Sequence, residues 1–364
     1  MPRSDAPPLA TARSGRWAAA LALALIALFA GTVPADADAH PAYAAAHRPD
    51  APACTTYRLP VRLSDPGPAD QVLRGRLCYP SGHRPDTVQL LVPGSTYNHL
   101  YWDFPAAGAE SSYVRAAVAA GYATFDVDPI GTGASSHPPS ARATVPATAT
   151  ALHDAVTALR TGGLDAHAFS RVVWVGHSLG SIHAWYEIPR YHDIDAAVLT
   201  GALHYLNPAA PDPTYPAVQD PKFAGSGLDA GYRTTRPGTR GDAFYHPATA
   251  DPAVIAADEA AKDATPLPAS PPAPTPLDFA VPTLVVLGAQ DRSFCQGATA
   301  FDCARPGTVA AFESKYYTVG TPLTALTVPD TGHVLSLSTT APGTHAAMLR
   351  WVRTVAAPGP QGAS

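Results

Sequence analysis

From Thr56 onward, short apolar runs alternate with segments of helical period. Thr56–Leu63 and Leu73–Tyr79 read as two strands joined by the turn-forming Ser64-Asp65-Pro66-Gly67-Pro68. Val88–Val92 precedes a helical pattern near Ser111–Ala120, and Tyr122–Val127 precedes another near Ala147–Arg160. In the latter, Ala149, Leu152, Val156 and Leu159 recur at about 3.6 residues and share one face. Arg171–Val175 runs into a helix from about Ser178, and Ala196–Thr200, Thr283–Leu287 and Leu323–Val328 supply three more strands. Runs this short and uniformly apolar belong to strands buried on both faces. Their alternation with helices predicts an α/β fold with a mostly parallel sheet and right-handed crossovers.

One segment breaks the rhythm. Residues 202–282 are crowded with Pro, Gly and Asp, most densely over Thr265–Pro276, with one short helix predicted at Pro252–Lys262. A stretch this long without regular pattern is functional or disordered, and it is read here as a lid crossing the top of the sheet. Tyr215, Phe223, Tyr232, Phe244 and Tyr245 are its aromatic residues available to close an apolar cleft.

The chain ends add an address. Arg3, Arg13 and Arg16 form a positive region before the apolar run Trp17–Ala30, and small-x-small sites follow at residues 35–39. Residues 1–39 therefore read as a general secretory signal peptide, 40–55 as a flexible leader and 356–364 as a disordered tail. The apolar run is too short for a comfortable bilayer span, so no stable membrane span is expected after cleavage. The folded domain is expected over 56–355.

Composition narrows the options. Of 364 residues, 46% are hydrophobic and 15% charged, enough apolar material for a large core. The formal net charge is -5 and no long basic run appears, which argues against a nucleic-acid partner. An even number of cysteines in an exported chain favours disulfides; of three connectivities the local one, Cys54–Cys78 with Cys295–Cys303, is preferred. No Cys-x-x-Cys pair is present, so no metal is assigned.

The chemistry centres on Gly176-His177-Ser178-Leu179-Gly180, a Gly-x-Ser-x-Gly match lying between a predicted strand and a predicted helix. At such a junction the serine sits on a tight turn whose glycines admit the neighbouring backbone, and Oγ projects at a helix N-terminus. A hydroxyl needs a base, and His333 follows the last strand in a loop aimed at the sheet's carboxyl edge. Asp291, just past another buried strand, is positioned to orient that imidazole. Oxyanion donors are expected from the N–H of Leu179 and from Ser95, with Thr96 as its alternative. Tyr97, His99, Tyr101, Trp102, His177 and His204 are candidates to line the substrate pocket.

These motifs resemble the serine esterase/lipase branch of the α/β-hydrolase superfamily. The likeness covers roughly residues 56–355 outside the Pro-rich insertion. It rests on the Gly-His-Ser-Leu-Gly elbow, the Gly-Ala-Gln-Asp291 turn, the Gly-His333 loop and Asp128-Pro-Ile-Gly131-Thr-Gly133-Ala-Ser135. It implies an eight-stranded sheet, a lid after the sixth strand, no cofactor, and a small-molecule or lipid-like ester substrate. Pro93 departs from the family, which usually has histidine before the oxyanion glycine. Ser178 in place of aspartate argues against epoxide hydrolase or dehalogenase chemistry. Acyltransfer, peptide or thioester cleavage would use the same triad, and a non-catalytic binding protein on this fold is the third possibility.

Overall fold

A computed structural model of the chain describes residues 52–267, 278–295 and 302–357. The signal-peptide expectation and most of the expected leader, of the expected tail and of the densest proline stretch lie outside these residues. In chain order the main elements begin with β1 (Ala53–Val61), β2 (Gln71–Tyr79), β3 (Thr87–Val92), α1 (Tyr113–Ala119) and β4 (Ala123–Asp128). Then come α2 (Val145–Thr161), β5 (Arg171–His177), α3 (Leu179–Tyr191) and β6 (Ala196–Thr200). An insertion carries β7 (Thr214–Pro216), β8 (Tyr232–Thr235), α4 (Arg240–Phe244), α5 (Pro252–Ala261) and β9 (Thr265–Pro266). The chain finishes with β10 (Thr283–Gly288), α6 (Pro306–Glu313), β11 (Leu323–Val328) and α7 (Ala341–Val355).

Eight strands form one sheet in the order β1-β2-β4-β3-β5-β6-β10-β11. β1 and β2 pair antiparallel, as do β2 and β4, while every pairing from β4 through β3 to β11 is parallel. The central strands are buried along their whole length. Their two-residue alternation divides the core. Val173 and Val175 face α1 and α7 with Val114, Met348 and Val352. Val172 and Trp174 face α2 and α3 with Leu152, Val156 and Ile188. Two helical layers are therefore packed by one strand's opposite faces.

Local signals fix the helix ends. Ser112 Oγ accepts the Arg115 N–H at the start of α1. Thr144 caps α2, which stops at Gly162 in the left-handed region at φ 72°. β1 begins at Ala53, three residues before the expected start, because Cys54 pairs directly opposite Cys78 and the disulfide extends the ladder. The second disulfide joins Cys295 to Cys303.

The described part of the insertion is more ordered than its composition predicts. β7, β8 and β9 form a separate three-stranded antiparallel sheet, and α5 falls where a helix was expected. Asp251 caps α5 by accepting the Ala253 N–H, with Pro252 in the first turn. Tyr232 is fully buried and its hydroxyl donates to the Pro138 carbonyl, tying the small sheet to the loop after β4. Among the described residues, no helix is long and apolar enough to cross a membrane.

Candidate active site at the carboxyl edge of the sheet

Ser178 links β5 to α3 at φ 51° and ψ −116°, a backbone region that L side chains rarely occupy. The strain is held by neighbours. The Ser178 N–H donates to the Thr200 carbonyl at 2.8 Å, while the Ser181 and Ile182 N–H groups donate to the Ser178 carbonyl. A Cβ on Gly180 would lie 2.1 Å from the Val92 carbonyl oxygen, and one on Gly176 would lie 2.7 Å from the Gly180 backbone. Both glycines are required by close backbone approach, as the elbow motif predicts.

His333 and Asp291 come from adjacent strand ends. β10 and β11 pair in register up to Gly288 and Val328, so the loops that follow leave side by side. A Cβ on Gly288 would sit 2.0 Å from the Gly332 carbonyl oxygen, which shows how tightly these loops interlock. His333 Nδ1 lies 2.7 Å from Asp291 Oδ2, and both residues are buried. Asp291 Oδ1 accepts the Ser293 N–H at 2.8 Å. With both carboxylate oxygens engaged, the carboxylate is fixed in orientation and Nδ1 is the protonated nitrogen that donates to it.

His177 joins the two halves of the site. Its ring centroid is 4.8 Å from that of His333, and it stacks on Tyr101 at 4.3 Å and meets Tyr97 edge-on. It is fully buried, with Nδ1 3.1 Å from Thr200 Oγ1. Burial, reinforced by the neighbouring His333, drives its pKa well below the ordinary range. His177 is thus a neutral packing group behind the serine. Gly94 admits this arrangement, since a Cβ there would be 3.0 Å from Ser178 Cβ and 3.1 Å from the His177 ring.

The loop after β3 supplies the remaining parts. Among the described residues nothing accepts from the N–H of Ser95 or of Leu179, whereas the Thr96 N–H donates to Thr265 Oγ1 at 2.8 Å. Thr96 itself stands at φ 63°, and the insertion keeps it there. Its hydroxyl accepts from Arg240 Nη1, and its carbonyl accepts from the Asp263 N–H. Arg240 and Asp258 are both buried and form a bidentate pair, with Arg240 Nε 2.9 Å from one carboxylate oxygen and Nη2 2.9 Å from the other. The Tyr97 and Tyr245 hydroxyls also donate to Asp258, each at 3.0 Å. Burial raises both phenols well above their usual pKa, so they remain donors.

Asp128 holds the same loop from below. One carboxylate oxygen accepts the His99 N–H and lies 2.7 Å from His99 Nδ1, and the other accepts the Ala134 N–H. Burial pushes this carboxyl up, but the bonds from His99 and Ala134 win and hold it below the ordinary range. His99 is thereby fixed by Asp128.

The other expected pocket residues are distributed unevenly. Tyr97 and Tyr101 pack on His177 as described, and Trp102 is buried against Tyr101 and Tyr113. His204 lies elsewhere in the core, stacked between Trp185 and Tyr316, with Nδ1 2.7 Å from Glu313. The Arg240–Asp258 pair is not anticipated from sequence, because charged residues in a Pro-rich segment read as solvated. The spacing Arg240, Phe244 and Tyr245 was the available signal, a cation among aromatic residues: Arg240 lies 4.2 Å over the Tyr97 ring and 5.2 Å over Phe244.

Solved structures share this architecture. A thermophilic esterase from Thermogutta terrifontis superposes with a TM-score of 0.52 at 19% identity, covering 83% of this chain and 99% of that one. A putative aryl esterase from Burkholderia cenocepacia gives 0.53 at 16% identity, covering 83% and 99%. A ligand-free epoxide hydrolase gives 0.50 at 14% identity, again covering 83% and 99%. These identities establish likeness of fold. Among curated proteins, none matches the sequence significantly. The alpha/beta hydrolase family model matches residues 89–346, a span running from β3 through the elbow and both interlocked loops into α7, and the chain belongs to that family.

Proposed function

We propose that the protein is a secreted serine hydrolase that cleaves carboxylic esters through Ser178, His333 and Asp291. The observation that carries the reading is the 2.7 Å Asp291–His333 pair, oriented by Ser293, with its imidazole beside the residue that precedes the strained serine. In this scheme His333 Nε2 takes the proton from Ser178 Oγ as it attacks the ester carbonyl, and Asp291 stabilises the imidazolium. The alkoxide that develops on the carbonyl oxygen is met by the N–H groups of Leu179 and Ser95. Collapse expels the alcohol, which takes the proton from His333. Water activated by the same imidazole then releases the acid from the acyl-enzyme.

The epoxide hydrolase likeness does not carry over to chemistry, because a carboxylate nucleophile is required there and a serine stands at this elbow. Export is supported by the positive, apolar and small-residue succession of residues 1–39 together with two disulfides. A serine-directed fluorophosphonate should label the wild type and leave Ser178→Ala unlabelled, and p-nitrophenyl esters of rising chain length should be turned over. An unlabelled wild type would end the proposal. Labelling with turnover of peptides or acyl acceptors, and none of esters, would reassign the bond that is cleaved.

A further inference from the structure

On the sheet face opposite α1 and α7, far along α3 from its serine end, three potential ligands converge. His153 projects from α2, Glu187 from the last turns of α3, and Asp193 from just beyond that helix. One donor atom from each lies within 4.8 Å of the others. His153 Nδ1 is 2.8 Å from Asp193 Oδ2 and 3.8 Å from Glu187 Oε1.

The acceptors outnumber the donors. Glu187 is fully buried, yet neither of its carboxylate oxygens receives a hydrogen bond, and neither does Asp193 Oδ1. Such a desolvated carboxylate is strongly unfavourable unless a positive charge compensates it. Among the described residues, no arginine or lysine pairs with either carboxylate, whose one ionisable partner is His153. Arg160 donates to the Asp193 carbonyl and to Asp195, not to the Asp193 carboxylate. The carboxyl end of α3 adds further negative potential.

From this geometry we infer that His153, Glu187 and Asp193 form a structural binding site for a divalent borderline metal ion, for which Zn2+ is the probe. Two carboxylates and a neutral imidazole balance a dication, and the imidazole selects against the hard ions calcium and magnesium. Tetrahedral zinc with bonds of about 2.1 Å spans ligand pairs of about 3.4 Å, so small side-chain movements suffice. His153 and Asp193 side chains are 18% and 22% exposed, which gives the ion an entry and a water as fourth ligand. The His153 ring is already held, stacked at 3.6 Å on Tyr191, whose hydroxyl donates to Thr150. Binding would clamp α2 to α3 and displace the Nδ1 proton, so affinity falls in acid.

The test uses full-length protein stripped with a chelator and titrated with Zn2+ by calorimetry, alongside Glu187→Gln, His153→Gln and Asp193→Asn. One equivalent should bind, with a rise of several degrees in Tm at hundredfold excess over Kd. Each substitution should weaken binding by at least about 100-fold, while Ser178→Ala leaves it intact. The partly exposed His153→Gln and Asp193→Asn keep the test decisive should the buried Glu187→Gln fail to fold. Absence of binding would mean that a shared proton neutralises the carboxylates, and the inference fails. Equal binding by wild type and variants would place the ion on surface groups and overturn it as well.

Discussion

Substituting Asp291 by asparagine separates orientation from presence in the proposed triad. The Ser293 N–H points at Asp291 Oδ1, so the asparagine would place its carbonyl there and turn its NH2 toward His333 Nδ1. Nδ1 must then accept, the ring proton moves to Nε2, and the nitrogen proposed to serve Ser178 becomes a donor. Restoring the productive tautomer requires flipping the amide so that NH2 opposes the Ser293 N–H. Leaving those buried donors unsatisfied costs about 2–3 kcal/mol, and losing the charge-assisted bond to the imidazolium about 1.5–3 more. Together these reach about 5 kcal/mol, or roughly 10³- to 10⁴-fold in kcat at 1.36 kcal/mol per tenfold. The assay is steady-state and burst kinetics with p-nitrophenyl acetate, with Tm confirming the fold. KM should change little, because no substrate contact is removed. A loss of kcat below tenfold would refute the assigned role of Asp291.

Further outcomes are expected elsewhere. Gly180→Ala puts a methyl group 2.1 Å from a backbone oxygen that cannot move aside, so soluble expression and Tm should collapse; a variant with native Tm would contradict the packing of the elbow. Asp258→Ala strands the buried Arg240 cation and two tyrosine hydroxyls, and urea unfolding should show a loss of about 3–5 kcal/mol. Replacing Cys54 and Cys78 together by serine opens a cross-link of sequence separation 24, and should lower stability by about 3.5 kcal/mol in the same assay. The Asp128 carboxyl is held below its ordinary pKa, so its stabilising contribution is present above about pH 4 and is lost as pH falls through the depressed value. The Tm advantage of wild type over Asp128→Asn should therefore shrink as pH is taken below about 4; an advantage that persists in acid would show that charge is not the source.

The strands of the main sheet were legible because burial on both faces leaves uninterrupted apolar runs, as in Val88–Val92 and Thr283–Leu287. Ser178, Asp291 and His333 stood out as candidates because each follows a strand within five residues, and a parallel sheet delivers its strand ends to one edge. The insertion was not. β7 and β9 span three and two residues, too few to show a period. Their stability comes from partners distant in sequence, such as Thr265 with Thr96 and Tyr232 with Pro138. His177, a pocket candidate by sequence, lies fully buried in the core, where its ring stacks on Tyr101. Cation ligation was invisible for a related reason. His153, Glu187 and Asp193 follow no compact motif and meet only when α2 packs on α3.

The grip of the insertion on Thr96 bears on modularity. Segments between β6 and β10 invite trimming or exchange by anyone reshaping the cleft, since both ends leave the sheet at neighbouring strands. Here such surgery would remove Arg240, Asp263 and Thr265 at one stroke, and with them the three contacts that keep Thr96 at φ 63°. Ser95 is the adjoining residue, so its N–H would lose its aim as well. A transplanted segment must therefore bring an equivalent set of polar contacts, or the scaffold that remains will fold without a finished oxyanion loop.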